Sequence, residues 1–131
     1  MEKIPVLGIC LGMQLLTKGS EEGKLPGLGW IDAYTKKFPS HEGIKVPHMG
    51  WNSAMPHSKS KLNENLSEEP RFYFVHSYYV ETEKLENSMM RTKHGIEFDS
   101  GINHNNIYGV QFHPEKSHKF GMQLFKNFSG I

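Results

Sequence analysis

The stretch Pro5-Val6-Leu7-Gly8-Ile9-Cys10-Leu11-Gly12-Met13-Gln14 leaves this chain few choices of local fold. Ile4 to Ile9 is an apolar run that reads as a buried strand, and Leu11 to Thr17 reads as a helix. Cys10 stands between them, with Gly8 and Gly12 two residues to either side. A strand, a sharp turn bearing a nucleophile and a helix make the plan of a nucleophile elbow. Side chains two residues from the apex would collide across so tight a turn, so glycine suits both places. Such a turn lifts the thiol out of the sheet to a helix N-terminus, where unpaired N–H groups and the helix dipole favour the thiolate. A buried core cysteine is the other reading of a lone Cys after an apolar run. The two flanking glycines favour the nucleophile.

The 131 residues are enough for one core, and residues 1–131 are expected to form one domain. With 15 basic and 14 acidic residues the net charge is +1, which gives no reason to expect nucleic acid or another polyanion as partner. No apolar stretch approaches the length needed to cross a membrane. Met1-Glu2-Lys3 and the short run after it make a poor signal peptide, because glycines and a helical pattern follow at once. One cysteine excludes an internal disulfide and suits a reducing compartment. These features predict a cytoplasmic protein with neither membrane nor nucleic-acid partner.

After the first helix, Gly23, Pro26, Gly27 and Gly29 mark a turn-rich connection, without the lysine and serine of a phosphate loop. Trp30 to Phe38 reads as a strand, and Pro39 to Gly43, with Ser40, as a turn. Pro47-His48-Met49-Gly50-Trp51-Asn52 lacks core periodicity and reads as a surface or site loop, or as a loop packing its Trp on the core. Ser53 to Pro70 is a polar connection with a short helix around Leu62 to Leu66. Arg71 to Val80 is rich in aromatics and valine and reads as a strand, or a pair broken at His76-Ser77. Met89 to Thr92, Ile96 to Ile102 and Ile107 to Gln111 are further strands, the last two pairing as a hairpin across Asn103-His104-Asn105-Asn106. A strand then ends at His113, Pro114 forces a turn, and Ser117 caps a helix from Lys119 to Phe128. Phe120, Leu124, Phe125 and Phe128 would form its apolar face.

Eight histidines raise the question of a metal, yet none stands in a Cys-x-x-Cys or His-Glu-x-x-His spacing. His113 and His118, five apart across a proline turn, make a poor zinc pair. His113 is the stronger candidate for acid–base work. Strand ends in an α/β sheet face one crevice, and Glu115 could accept a hydrogen bond from the second ring nitrogen, fixing the tautomer. Taken alone, His113 and Glu115 also read as a turn histidine beside a solvated carboxylate. Beside the elbow they read as base and orienter of a Cys-His-Glu triad.

Gly8-Ile-Cys-Leu-Gly-Met-Gln14 followed by Gly109-Val-Gln-Phe-His-Pro-Glu115 resembles the triad-type (class I) glutamine amidotransferases. Lys45-Val-Pro-His-Met-Gly-Trp-Asn52 and Phe72-Tyr-Phe-Val-His-Ser-Tyr-Tyr-Val80 narrow the likeness to the HisH-like glutaminase subunits of imidazole glycerol phosphate synthase and their surface-sugar relatives. His113-Pro-Glu-Lys-Ser117 points the same way, and the tail Ser117-His-Lys-Phe-Gly-Met-Gln123 leans toward the surface-sugar relatives. The resemblance runs from about Ile4 to the C-terminus. It implies an α/β fold, a mixed, mostly parallel sheet flanked by helices, with the family's first strands lacking. It implies Cys10, His113 and Glu115 as catalytic triad. Leu11 (through its backbone N–H), Gly12, Gln14, His76, Ser77 and Tyr78 would hold glutamine. Met49, Trp51, Asn52 and Lys116 would lie at the interface with a synthase partner, a HisF-like (β/α)₈ barrel cyclase in the histidine-pathway case. No cofactor and no metal are implied.

The family's front section also carries a glycine-rich loop that supplies a second oxyanion donor. Its lack predicts a chain that holds the triad but turns over weakly alone. Two rival functions follow from the same residues. One is a cysteine hydrolase of another γ-glutamyl amide, against which the Pro47 to Asn52 and Phe72 to Val80 motifs argue. The other is a non-catalytic module that binds the synthase through Met49 and Trp51.

Overall fold

The valine- and aromatic-rich middle of the chain folds as strands, and a helix lies near either end. The computed structural model describes residues 4–21, 23, 26–39, 43–66 and 69–131. In chain order these form β1 (Val6–Ile9), α1 (Leu11–Leu15), β2 (Ala33–Lys37), β3 (His48–Ser53), β4 (Met55–Pro56), β5 (Arg71–His76), β6 (Tyr78–Thr82), β7 (Ser88–His94), β8 (Ile96–His104), β9 (Ile107–Val110) and α2 (His118–Ser129). Short 3-10 turns occupy Lys61–Asn63, Leu85–Asn87 and Pro114–Lys116. The α/β class, the mixed sheet and the flanking helices are as the resemblance implies, but the sheet is not mostly parallel: among the named strands only β1 and β9 pair in parallel.

The main sheet runs β1-β9-β8-β6-β2, with β7 also paired to β8 and β4 to β7. β1 and β9 pair in parallel, Gly8 opposite Gly109 and Ile9 opposite Val110. The other named strand pairs run antiparallel. β8 and β9 form the expected hairpin, turning at Asn105, whose φ of 54° suits an asparagine. β3 and β5 pair with each other as a separate two-stranded sheet.

Several elements differ from the sequence reading. β1 is not a buried strand: only Gly8 is buried, and Ile4 before it is 79% exposed. It has β9 as its one neighbour among the described strands. α1 ends at Leu15, two residues short of Thr17, whose hydroxyl bonds back to the Gln14 carbonyl at 2.7 Å. The stretch read as a loop, Pro47 to Asn52, is largely strand β3, held along its length by β5. Its pattern is inverted, with buried His48 facing in and exposed Met49 and Trp51 facing out. The helix expected at Leu62 to Leu66 is the 3-10 turn Lys61–Asn63. The strand expected to reach His113 stops at Val110, and His113 forms one isolated bridge with Tyr73. Ser117 precedes α2 but does not cap it; its hydroxyl donates to the His113 carbonyl and accepts from the Tyr73 N–H. Phe125 is exposed, so the inward face of α2 is Phe120, Gly121, Leu124 and Phe128. Part of the turn expected at Pro39 to Gly43, including Ser40, lies outside the described residues.

Two apolar clusters fill the interior. One collects Phe38, Phe72, Phe74, Phe98, Phe112 and Leu124; the other joins Met13, Leu16, Ile31, Ala33, Val80 and Ile102. Consecutive residues of one strand, Tyr79 and Val80, fall into different clusters because side chains alternate across a strand. Among the described residues no helix is long and apolar enough to cross a membrane.

A carboxyl group sits inside. Asp99 on β8 is 1% exposed and accepts from the Thr82 N–H at 2.7 Å, the Thr82 hydroxyl at 2.9 Å, the Ser88 hydroxyl and Arg91 Nη1 at 3.0 Å. It thereby ties β6, β7 and β8 together, with its oxygens satisfied by donors that replace water. Asp99→Ala leaves Arg91 without that partner and should cost about 3–5 kcal/mol in urea unfolding. Glu97→Ala removes the exposed carboxylate 3.9 Å from the same arginine and should change stability by less than about 1 kcal/mol. Equal losses in the two variants would contradict this assignment.

Candidate active site

The elbow is built by contact between α1 and the β1–β9 pair. A Cβ on Gly8 would stand 2.6 Å from the Gly12 carbonyl oxygen and 2.9 Å from the Met13 nitrogen. A Cβ on Gly109, opposite Gly8, would stand 2.8 Å from Met13 Cγ. Two glycines facing each other therefore let α1 press onto the sheet, with Met13 fully buried between. Gly12 differs from the expectation: a Cβ there would meet nothing within 4 Å. Cys10 carries the strain of the turn, with φ 54° and ψ −107°, a conformation rare for a residue with a side chain and found where structure over-determines it.

Register then sets what Cys10 faces. The Cys10 N–H bonds the Val110 carbonyl at 2.8 Å, so Cys10 leaves β1 where β9 ends. Because the two strands are parallel, the residues after Val110 emerge at the same sheet edge as Cys10. Gln111 comes first, and its Nε2 donates to Cys10 Sγ at 3.6 Å. His113 follows, fixed by its N–H to the Tyr73 carbonyl at 2.9 Å. Its Nδ1 lies 3.1 Å from Glu115 Oε2. With Nδ1–H donated to the carboxylate, a neutral ring keeps Nε2 as its proton acceptor. The Cys10 thiol donates to the Val75 carbonyl at 3.8 Å, not to His113.

An open cavity of about 260 Å³ lies over Cys10, lined by Leu11, Gln14, His76, Ser77 and Tyr78. These are the residues singled out in the sequence for holding a substrate, with Gly12 alone left outside. A larger hollow of about 560 Å³ lies between Lys61 and Ile131, lined by amides and charged side chains remote from Cys10. Met49, Trp51 and Lys116 share another surface. Met49 is 63% and Trp51 41% exposed, Trp51 stacks on His118, and Lys116 Nζ sits 5.9 Å from the Tyr73 ring centre. Asn52 does not join them: it turns inward, donating to the Lys93 carbonyl at 2.9 Å and lying 3.2 Å from His48 Nε2. Among the described residues no group of three His, Cys, Asp or Glu side chains is arranged to hold a metal ion.

The electrostatics correct one expectation. Burial pushes the Cys10 thiol up, and this outweighs the Leu11 N–H and the Gln111 amide, which favour the thiolate. α1 has only five residues, so few aligned peptide dipoles add to the Leu11 N–H. Cys10 therefore rests as a thiol. Burial also lowers His48 to about 3 and His76 to about 4, helped by neighbouring imidazoles. Sequence reasoning passed over His48 and Gln111. Gln111 lay inside the quoted motif, and only the β1–β9 register shows that it reaches the sulfur.

Two measurements follow. Gly8→Ala should cost about 1–3 kcal/mol in urea unfolding, because the added methyl meets backbone. Gly12→Ala should be neutral or stabilising by up to about 1 kcal/mol, since alanine suits a helix better and finds open space. The histidines give a pH dependence. Both are held below the unfolded value of about 6.5, so below that pH the unfolded chain binds protons the folded chain refuses. Their contribution is complete above about pH 6.5 and is lost as pH falls toward 4 and 3, by up to about 1.4 kcal/mol per pH unit for each ring. Unfolding at pH 7, 6 and 5 should give a shallower slope for His48→Asn than for the parent; parallel slopes would contradict it.

Known proteins bear on this geometry. The family profile described as Glutamine amidotransferase class-I matches residues 1–130. Subunit HisH 2 of imidazole glycerol phosphate synthase from Methanococcus maripaludis is 60% identical over 127 residues, covering 97% of this chain and 63% of that protein. The HisH subunit from Bdellovibrio bacteriovorus is 50% identical over 133 residues, 99% of this chain and 65% of that protein. The chain thus spans just under two thirds of the length of these relatives. A Thermoplasma acidophilum protein whose crystal structure bears the name of GMP synthase superposes with a TM-score of 0.68 at 24% identity, over 96% of this chain and 56% of that one. A glutamine amidotransferase from Thermotoga maritima gives 0.61 at 19% identity, over 96% and 47%. At such identities the structures speak for the fold. The match over residues 1–130 speaks for the family: this chain belongs to the class I glutamine amidotransferases.

Proposed function

We propose that this chain is the catalytic part of a glutaminase that hydrolyses glutamine to glutamate and ammonia and passes the ammonia to a synthase partner. The observation that carries the reading is the shared sheet edge: parallel β1 and β9 bring Cys10 and the His113–Glu115 pair to one side, beside a cavity of about 260 Å³. In the first half-reaction the Cys10 thiol gives its proton to His113 Nε2 as sulfur attacks the glutamine amide carbon. The Leu11 N–H, which favours charge on Cys10, also suits the oxyanion that develops beside it. His113 returns the proton to the leaving nitrogen, ammonia departs and a glutamyl thioester remains. Water then attacks the thioester, His113 takes its proton, and glutamate leaves as the thiol is restored. Glu115 keeps Nδ1–H pointed away, so that Nε2 stays in service, and stabilises the imidazolium between steps.

A neutral resting thiol fits this scheme, because the attack itself transfers the proton and no free thiolate waits in the cell to be oxidised. The exposed Met49 and Trp51 with Lys116 form the surface for the synthase, an apolar centre with a charged rim. The relatives' names, HisH subunits of imidazole glycerol phosphate synthase, support a partner from that synthase rather than a surface-sugar enzyme; the family resemblance implies a (β/α)₈ cyclase of histidine biosynthesis as that partner, and the cytoplasm as compartment.

Cys10 is the one cysteine, so a thiol adduct has a single address. A glutamine-like chloroketone or diazoketone should add one mass increment to the chain, with or without a cyclase, and excess glutamine should block it. His113→Ala should slow the labelling by about 10²-fold or more. If iodoacetamide labels Cys10 while the glutamine-like reagent does not, in either state, the chain is a docking module rather than a glutaminase.

A further inference from the structure

The polar groups between the outer surface and the sulfur form one line. Asn52 Nδ2 lies 3.2 Å from His48 Nε2, and His48 Nδ1 lies 2.9 Å from His76 Nε2. His76 Nδ1 is 2.7 Å from the Tyr78 carbonyl, which also accepts from Gln14 Nε2 at 3.3 Å. Gln14 Nε2 donates again, to Gln111 Oε1 at 3.1 Å, and Gln111 Nε2 reaches Cys10 Sγ at 3.6 Å. We infer that His48 and His76 are positioning residues, two neutral imidazoles of fixed tautomer that set the orientation of the Tyr78 carbonyl and Gln14 amide in the substrate cavity. The inference rests on the glutaminase reading for its substrate, and on the hydrogen bonds together with the burial of both rings for its polarity.

The polarity follows from one fixed end. A carbonyl can only accept, so His76 Nδ1 carries the hydrogen. A neutral His76 then has Nε2 as an acceptor, so His48 Nδ1 must donate to it. His48 Nε2 is in turn an acceptor, and Asn52 Nδ2 supplies it with one hydrogen while giving the other to the Lys93 carbonyl. At the far end both amide hydrogens of Gln14 are spent inward, so what Gln14 can offer a ligand is its carbonyl oxygen, an acceptor suited to an ammonium or amide N–H. Adding a proton to either imidazole sets N–H against N–H and breaks the line.

The surroundings keep water and charge away. Both rings are buried, and Phe74 stacks on His48 at 4.6 Å between centroids. Phe38 and Phe98 flank His76 at 5.4 and 5.3 Å. His94 stacks on His48 at 4.1 Å, with its Nε2 2.6 Å from the Lys45 carbonyl. In such a setting a polar group left without its partner costs about 1–3 kcal/mol, which is what holds the sequence of donors in one direction.

The test uses the full chain labelled with ¹⁵N-histidine. Long-range proton–nitrogen spectra at pH 7, assigned with His48→Asn and His76→Asn, should show both rings neutral and protonated on Nδ1. Either ring protonated on Nε2, or charged, overturns the inference whatever the enzyme does. The second arm follows Cys10 labelling by the glutamine-like chloroketone. His48→Asn retains a donor near Nδ1 and should raise the half-saturating reagent concentration by less than about threefold. His48→Leu, apolar and closer in volume, should raise it at least tenfold while the saturated rate changes less. Equal effects of the two variants assign His48 to packing and also overturn the inference. If the tautomers are as stated but the parent chain takes no glutamine-like label, the glutaminase reading fails and the polarity of the line stands.

Discussion

The parallel pairing of β1 with β9 is the constraint on which the site depends. Four residue pairs, Val6 with Ile107 through Ile9 with Val110, decide that Cys10 and the segment from Gln111 to Glu115 leave the sheet at one edge. A shift of one residue would turn Gly8 away from Gly109, lift α1 off the sheet and point Gln111 elsewhere, since every side chain of a slipped strand changes face. The glycines are therefore part of the register. They let a helix approach so closely that Met13 fills the space a pair of methyl groups would have taken.

That constraint also explains what the sequence could and could not disclose. The elbow was readable because its requirements are local: an apolar run, a cysteine at the turn and a glycine two residues before it. The His-x-Glu pair was readable for the same reason, its 3.1 Å contact spanning only two residues. The hairpin of β8 and β9 announced itself through its asparagines. What stayed hidden depends on partners far along the chain. Gln111 touches Cys10 101 residues away, and Asp99 gathers its donors from β6 and β7. Burial, which no spacing rule measures, reverses the expectation that Cys10 rests as a thiolate.

Strand β3 shows how a pattern rule can fail for a physical reason. Alternation of apolar and polar residues marks a strand when the apolar side faces the core. In β3 the side facing the core carries His48 and Asn52, while Met49 and Trp51 face out, so the stretch reads as a site loop. A buried imidazole and a half-buried amide are tolerated there because each finds a partner: His48 with His76, Asn52 with the Lys93 carbonyl. The inversion is thus the trace of a polar network that the strand must serve on its inner face.

The same inversion gives β3 two surfaces with different work. Its outward residues Met49 and Trp51 are free to be covered by another protein, and its inward residues His48 and Asn52 begin the line that ends at Cys10 Sγ. β5, its pairing partner, is placed between: Tyr73 holds His113 through its carbonyl, Val75 accepts the thiol hydrogen, and His76 carries the line onward. Covering the outer face can shift equilibria in the pocket only by as much as the contact differs between two arrangements of this hairpin. The fixed register of β1 and β9 thus holds Cys10 and the His113–Glu115 pair at one end of the sheet, while the β3–β5 pair joins the outer face to the pocket by hydrogen bonds.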